Sequence, residues 1–237
     1  TAALKKRVAQ IKEIVGETVS LCYSMKANPF FVPAMITCVD KLEVCSPGEL
    51  TICKKLGVDA SRIIYSGVNK EIPDIKEAYE YGVGTFTAES VRQADLIQQV
   101  VETAAAGEKA EVILLLNSGS QFGMSKEDLL TILQCRESRY TSLNFTGIHY
   151  FVGTQRKRAK RKIKELQMLL ELFEEIRNKC GLKLKKLEYG PGFAVPYFED
   201  DDFEDTLYPV KELKDTLKQV AQQVDLTIEM GRFFTAE

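Results

Sequence analysis

The sequence has no apolar run long enough to span a bilayer, which excludes a transmembrane helix. It opens without a basic segment, an apolar stretch and a small-residue cleavage site, so nothing in it argues for export. Its six cysteines, at 22, 38, 45, 53, 135 and 180, contain no C-x-x-C pair. That spacing suits free thiols in a reducing cytoplasm rather than a disulfide framework, and no metal centre is predicted. Cys22 and Cys45 fall in apolar strand-like runs, where a thiol acts as a small buried hydrophobe. A net charge of −2 provides no single-sign field, so neither nucleic acid nor a membrane surface is an expected partner. Histidine occurs once, at His149. There is no internal repeat, low-complexity tract or linker, so residues 1–237 read as one domain.

Short β-branched and aliphatic runs alternate with stretches of helical period along the whole chain. Strands are predicted at 19–27, 41–46, 62–67, 84–87, 111–118, 146–153, 185–189 and 225–230. Helices are predicted at 31–39, 48–56, 71–81, 89–105, 125–136, 160–180 and 210–223. The clearest is 160–180, where Ile163, Leu166, Leu169, Leu170, Phe173 and Ile176 recur at helical spacing and Gly181 follows as a cap. Such alternation gives a parallel sheet wound by helices, and eight repeats favour closure into a (β/α)8 TIM barrel. A helix over 3–14 is placed to cover the seam between the first and eighth strands.

In a barrel of this kind chemistry collects where the strands end. The first strand ends in Ser24-Met25-Lys26-Ala27-Asn28-Pro29, the second in Glu43-Val44-Cys45-Ser46-Pro47-Gly48-Glu49. A lysine closing an apolar strand reads either as a surface residue or as an amine whose pKa burial lowers, making it nucleophilic toward an aldehyde. The seventh strand ends in Tyr189-Gly190-Pro191-Gly192-Phe193 and the eighth in Glu229-Met230-Gly231-Arg232. Glycines in such turns bring backbone N–H groups close to a phosphate. Glu229 ends an apolar strand, where a carboxylate must be protonated or paired; Arg232 is one candidate partner.

Taken in order, Tyr-Ser-Met-Lys-Ala-Asn-Pro, Ser-Pro-Gly-Glu-Leu, Asn-Ser-Gly-x-Gln-Phe-Gly, Gly-x-Gly and Glu-Met-Gly-Arg resemble the barrel domain of ornithine and diaminopimelate decarboxylases. These are fold type III, alanine-racemase-like enzymes that use pyridoxal phosphate. The resemblance runs from about Glu17 to Phe234 and implies that Lys26 holds the cofactor as a Schiff base. It places Glu43, Ser46 and Glu49 beside the cofactor and its lysine. It gives the phosphate to Thr154, Gly190, Gly192 and the backbone of Gly231 and Arg232. Glu229 would face the pyridine nitrogen, keeping the ring an electron sink while the substrate loses CO₂. The family also carries a C-terminal β domain, absent from this chain, and works as a homodimer, so this barrel alone is expected to be inactive. Two alternatives stay open: a non-catalytic barrel that stores or delivers pyridoxal phosphate, and an amino-acid racemase, against which Glu229 argues.

Three positions depart from the family pattern. Phe151 stands where a ring-stacking histidine is usual; it can stack but cannot donate a hydrogen bond. Leu115 replaces an arginine, and Pro191 a glycine in the phosphate turn. His149, two residues before Phe151, reads as a packed core histidine. The basic run 155–162 reads as a solvated loop, or as a landing site for an acidic carrier protein bearing the amino acid. The acidic run 199–205 lacks calcium-loop spacing. It reads as a solvated loop, or as a selector for a cationic substrate.

Overall fold

The computed structural model describes residues 2–104, 107–198, 201 and 203–236. Eight strands form a closed, all-parallel barrel in sequence order, with β8 hydrogen-bonded back to β1. They are β1 Ser20–Ser24, β2 Lys41–Val44, β3 Ile63–Tyr65, β4 Thr85–Ala88, β5 Ala110–Leu116, β6 Leu143–Phe151, β7 Lys186–Gly190 and β8 Asp225–Met230. All eight lie where the alternation of sequence puts them, four of them shorter than predicted. β6 begins earlier because the β5–β6 register skips Thr146: Val112 faces Phe145 and Ile113 faces Gly147. That irregularity brings Gly147 so close to the backbone of Lys186 that a Cβ there would collide with it.

The main apolar core lies between the sheet and the helices outside it. The Ala159–Cys180 helix buries Leu166, Leu169, Leu172, Phe173 and Ile176 along one face, ending at Gly181 in the left-handed conformation (φ 61°). The Ala2–Val15 helix packs beside the Lys214–Ala221 helix and the chain after β8. There Arg7 donates to the carbonyls of Phe233 and Thr206, closing the seam as expected. Two predicted helices differ. The 210–223 segment is divided into Tyr208–Lys211 and Lys214–Ala221, and 31–39 is helical only over Val32–Met35 after a tight turn.

Inside the barrel the side chains change character with height. At the floor, Lys41 Nζ donates to Thr227 Oγ1 (3.0 Å), and Lys186 and Thr85 both bond to Glu111. Above it sits a small apolar cluster, Cys22, Ile64 and Ile113, separate from the outer core. Residues further up the same inward faces are polar: Ser24, Glu43, His149, Glu188 and Glu229, all buried. A barrel interior is normally filled by branched apolar side chains, so this concentration of charge marks the upper end as a site.

Candidate active site

β1 stops at Ser24, and a single tight turn, Met25–Ala27, carries Lys26 over the barrel mouth. Asn28 fixes the next turn, its side chain accepting from the Phe30 N–H (3.0 Å). Tyr23 Oη donates to the Asn28 carbonyl (2.7 Å) from below. Lys26 Nζ is thereby held 2.8 Å from Glu43 Oε2 and 3.4 Å from Glu229 Oε1, with Phe151's ring centroid 5.5 Å away. Lys26 is therefore not a free surface lysine: its side chain is 45% exposed at the mouth, but its ammonium is tied to two buried carboxylates. Its expected depressed pKa is not found either. Burial does oppose the charge, but the carboxylates of Glu229 and Glu43 outweigh it and push the pKa well above the ordinary value. The amine rests as an ammonium and must lose a proton before it can attack an aldehyde.

Glu229, on β8, is the hub. Its Oε1 accepts from Ser24 Oγ (2.5 Å), and its Oε2 lies 2.9 Å from His149 Nε2. Burial would raise its pKa, but Lys26 and the His149 hydrogen bond drive it far below the usual carboxylate range. The expected ion pair with Arg232 does not form: that guanidinium lies over the ring of Tyr197, 4.8 Å from its centroid. Glu43 is pushed up, by its burial and by the charge of Glu229 beside it. Glu43, His149 and Glu229 converge within 4.8 Å, a grouping able to hold a cation. The ammonium of Lys26 already bonds to both carboxylates, so the chain furnishes its own.

A cavity of about 250 Å³ opens above this cluster. Ser24, Lys26, Phe151, Thr154, Gly192, Glu229, Gly231 and Arg232 are among the residues that line it. Gly192 and Gly231 leave bare backbone along it, while Gly190 is packed against Phe151 and Glu229 and is not among its lining residues. A Cβ on Gly190 would sit 2.6 Å from Phe151 Cδ2, and one on Gly231 2.6 Å from Ala27 Cβ. Gly192 has φ +58°, and a Cβ there would collide with the Gly153 carbonyl. The turn is braced from behind. Gln155 Nε2 donates to the Val195 carbonyl and its Oε1 accepts from the Val195 N–H, while Arg156 N–H donates to the Gly192 carbonyl. Bare backbone at one end and a lysine at the other suit an aldehyde bearing a phosphate.

Ser46 and Glu49 are engaged at the start of the Pro47–Lys55 helix. Ser46 Oγ accepts from the Glu49 N–H (3.3 Å), and Glu49 Oε2 from the Cys45 N–H (2.6 Å). This capping arrangement sets Cys45 Sγ 3.8 Å from Lys26 Nζ. Cys45 is thus a partly exposed rim residue, not the buried hydrophobe expected. The basic run is also only partly solvated. Arg156 forms a two-pronged pair with Glu165, and Lys162 is 1% exposed with Nζ on the Arg156 carbonyl (2.6 Å). In the acidic run, Glu199, Asp200 and Asp202 lie outside the described residues. Asp201 caps the turn at Tyr197 and Phe198, and Asp205 pairs with Lys211.

The sequence reading missed three members of the cluster. His149 is buried as expected, yet it bonds to Glu229 rather than merely packing. Ser24 supports the same carboxylate, and Glu188 stands next to His149 in the β6–β7 register. All three are polar residues on inward faces of apolar strands, two positions from a residue already singled out or along the same alternation. That is the signal that would have found them.

A family model described as "Pyridoxal-dependent decarboxylase, pyridoxal binding domain" matches residues 1–236. The chain belongs to this family. Pyridoxal phosphate is therefore its cofactor, and the glycine turns and Lys26 fit such a group. Among curated relatives, the L-glutamyl-(BtrI acyl-carrier protein) decarboxylase of Niallia circulans is 27% identical over 83% of this chain and 49% of its own length. The lysine/ornithine decarboxylase of Selenomonas ruminantium is 30% identical over 73% of this chain and 45% of its own. The chain thus spans about half the length of these relatives. Of solved structures, lysine/ornithine decarboxylase of Vibrio vulnificus complexed with putrescine superposes with TM-score 0.81 and 20% identity. It covers 98% of this chain, which matches 62% of that one, a likeness of fold. Among the described residues no helix is long and apolar enough to cross a membrane.

Proposed function

We propose that this barrel carries the cofactor of an amino-acid decarboxylase, with Lys26 as the attachment point and Glu229 as the partner of the ring nitrogen. The observation that carries the reading is the seat of Lys26 Nζ between Glu43 and Glu229, beneath a cavity edged by bare glycine backbone. When bound, pyridoxal phosphate supplies an electron-poor ring that takes up the electron pair left on Cα as CO₂ departs.

The chain's own groups do the rest. Glu43, 2.8 Å from Lys26 and raised in pKa, is placed to take the proton the ammonium must shed. Glu229 stays ionised because Lys26, Ser24 and His149 hold it, so its charge favours a protonated ring nitrogen. Phe151 offers a flat apolar face, and Ser118 Oγ fixes its backbone by donating to its carbonyl (2.8 Å). Thr154 and the backbone of Gly190, Gly192, Gly231 and Arg232 would receive the phosphate. Ser46 and Glu49 act at one remove, by fixing Cys45 beside the lysine. When not joined to the cofactor, the Lys26 amine would rest between Glu43 and Glu229, with Glu43 placed to return the proton it took.

For the substrate we propose a diamino acid or a carrier-bound amino acid, the two kinds named by the relatives above. Lys157, Arg158, Lys160 and Arg161 are exposed and would receive an acidic carrier protein. Asp201, Glu204 and Asp205 would favour a diamino acid instead. Phe30 and Phe198, 89% and 72% exposed at the barrel mouth, suit cover by a further domain or a second copy in the full-length protein. Mass spectrometry of the amine released from lysine, ornithine, diaminopimelate and carrier-linked glutamate tests the class. Release of one amine with CO₂ supports it. Cofactor turnover with retention of the carboxylate and racemised substrate would overturn it.

A further inference from the structure

Glu188 is buried on β7 with no hydrogen-bond partner on either carboxylate oxygen among the described residues. Its register neighbour on β6 is His149, whose Nδ1 is likewise buried without a partner, while Nε2 is bonded to Glu229. Two orphaned acceptors and an orphaned ring nitrogen on adjacent positions of one inward face are costly unless a proton, or a proton and a water, lies between them. Nothing in the chemistry above uses Glu188.

We propose that Glu188 is a positioning residue: from the neighbouring strand it binds a proton on His149 Nδ1, directly or through one buried water, so that His149 serves as a donor at both nitrogens and its Nε2–H fixes Glu229 toward the cavity. An imidazole protonated only on Nδ1 would present a lone pair to Glu229 and repel it. One protonated only on Nε2 would be free to tilt. The neighbouring acid removes both options.

The charges facing this pair favour the arrangement. Around Glu188 stand His149 on β6, Thr227 and Glu229 on β8, Lys41 and Glu43 on β2, and Cys22 on β1. Lys26 acts on His149 only across the two upper carboxylates. Burial works against the imidazolium, but Glu188, the Glu229 hydrogen bond and Glu43 raise the pKa of His149 to about 9. Burial lifts Glu188 to about 7 against the pull of His149, so the proton count of the relay changes near neutrality.

The use of this relay rests on the reading that Glu229 faces the cofactor ring, but its existence does not. His149 is the chain's only histidine, so its ring signals need no assignment. Nitrogen and carbon NMR of the ring, followed across pH without cofactor, reads the relay itself; trapping at Lys26 separately reads the cofactor assignment. The wild type is expected to carry protons on both ring nitrogens at pH 7 and to show a small second inflection as Glu188 ionises. Glu188→Gln should lower the histidine pKa by about one unit or more and erase that inflection. Glu188→Asp should restore part of the shift, which separates a charge effect from a packing defect. A free Nδ1 lone pair at pH 7 in the wild type, an unaltered histidine titration in Glu188→Gln, or a Glu188→Asp titration no different from that of Glu188→Gln would overturn the proposal.

Discussion

Two groups of charge, one half-buried outside the glycine turn and one largely buried inside the barrel, are built differently. Outside the glycine turn, Arg156 pairs with Glu165, which also accepts from Tyr189 Oη (2.7 Å), while the Arg156 backbone donates to Gly192. Every strong donor in that set faces an acceptor, as in a buried pair kept for geometry. Inside, Lys26, Glu43, Glu229, His149 and Glu188 are crowded together. Orphaned atoms remain on His149 and Glu188, and the pKa values are displaced in both directions. The satisfied cluster fixes backbone; the unsatisfied one stores protons beside a cavity. Displaced titrations and unpaired buried groups together separate a site from a staple.

That contrast can be broken at several points. The largest effect is expected at Lys26. In Lys26→Ala the absorbance change on adding pyridoxal phosphate should vanish, because no other lysine among the described residues enters the cavity; a retained change would move the site elsewhere. Next comes Gly192→Ala, which forces a Cβ onto Gly153 at φ +58°. Cofactor affinity measured by titration should fall roughly 10- to 100-fold, the scale of one or two lost charge-assisted bonds. Arg156→Ala should act on stability more than on covalent capture. Leaving Glu165 and Tyr189 without their cation should cost about 2–3 kcal/mol in chemical denaturation, discounted for the partial exposure of the pair.

The smallest effect concerns pH. Glu188 has a folded pKa raised to about 7, so the native state binds more protons than the unfolded chain between its ordinary value and 7. Its contribution is full below pH 4.5 and is lost as pH rises through 7, on the order of 1–3 kcal/mol. Glu188→Gln should flatten that part of the stability curve. An unchanged slope would place the titration on another group.

Most of the fold was legible in sequence because strand alternation and helix period are local. The lysine and the glycine turns were legible because each is an unusual residue at a strand end. What was not legible depended on distance across the barrel. The pKa of Lys26 has the opposite sign to that expected from burial alone, because its two carboxylates come from β2 and β8. His149 read as core because its partner is 80 residues away. The basic run read as solvated because nothing local indicates that Arg156 and Lys162 turn inward behind the glycine turn.

The seat of Lys26 is tested most directly by adding pyridoxal phosphate to the chain, reducing with borohydride and mapping the modified residue by mass spectrometry, with Lys26→Ala as control. One labelled site is expected, Lys26, formed faster as pH rises because the ammonium must first shed its proton. Label scattered over surface lysines, or a rate indifferent to pH, would contradict it.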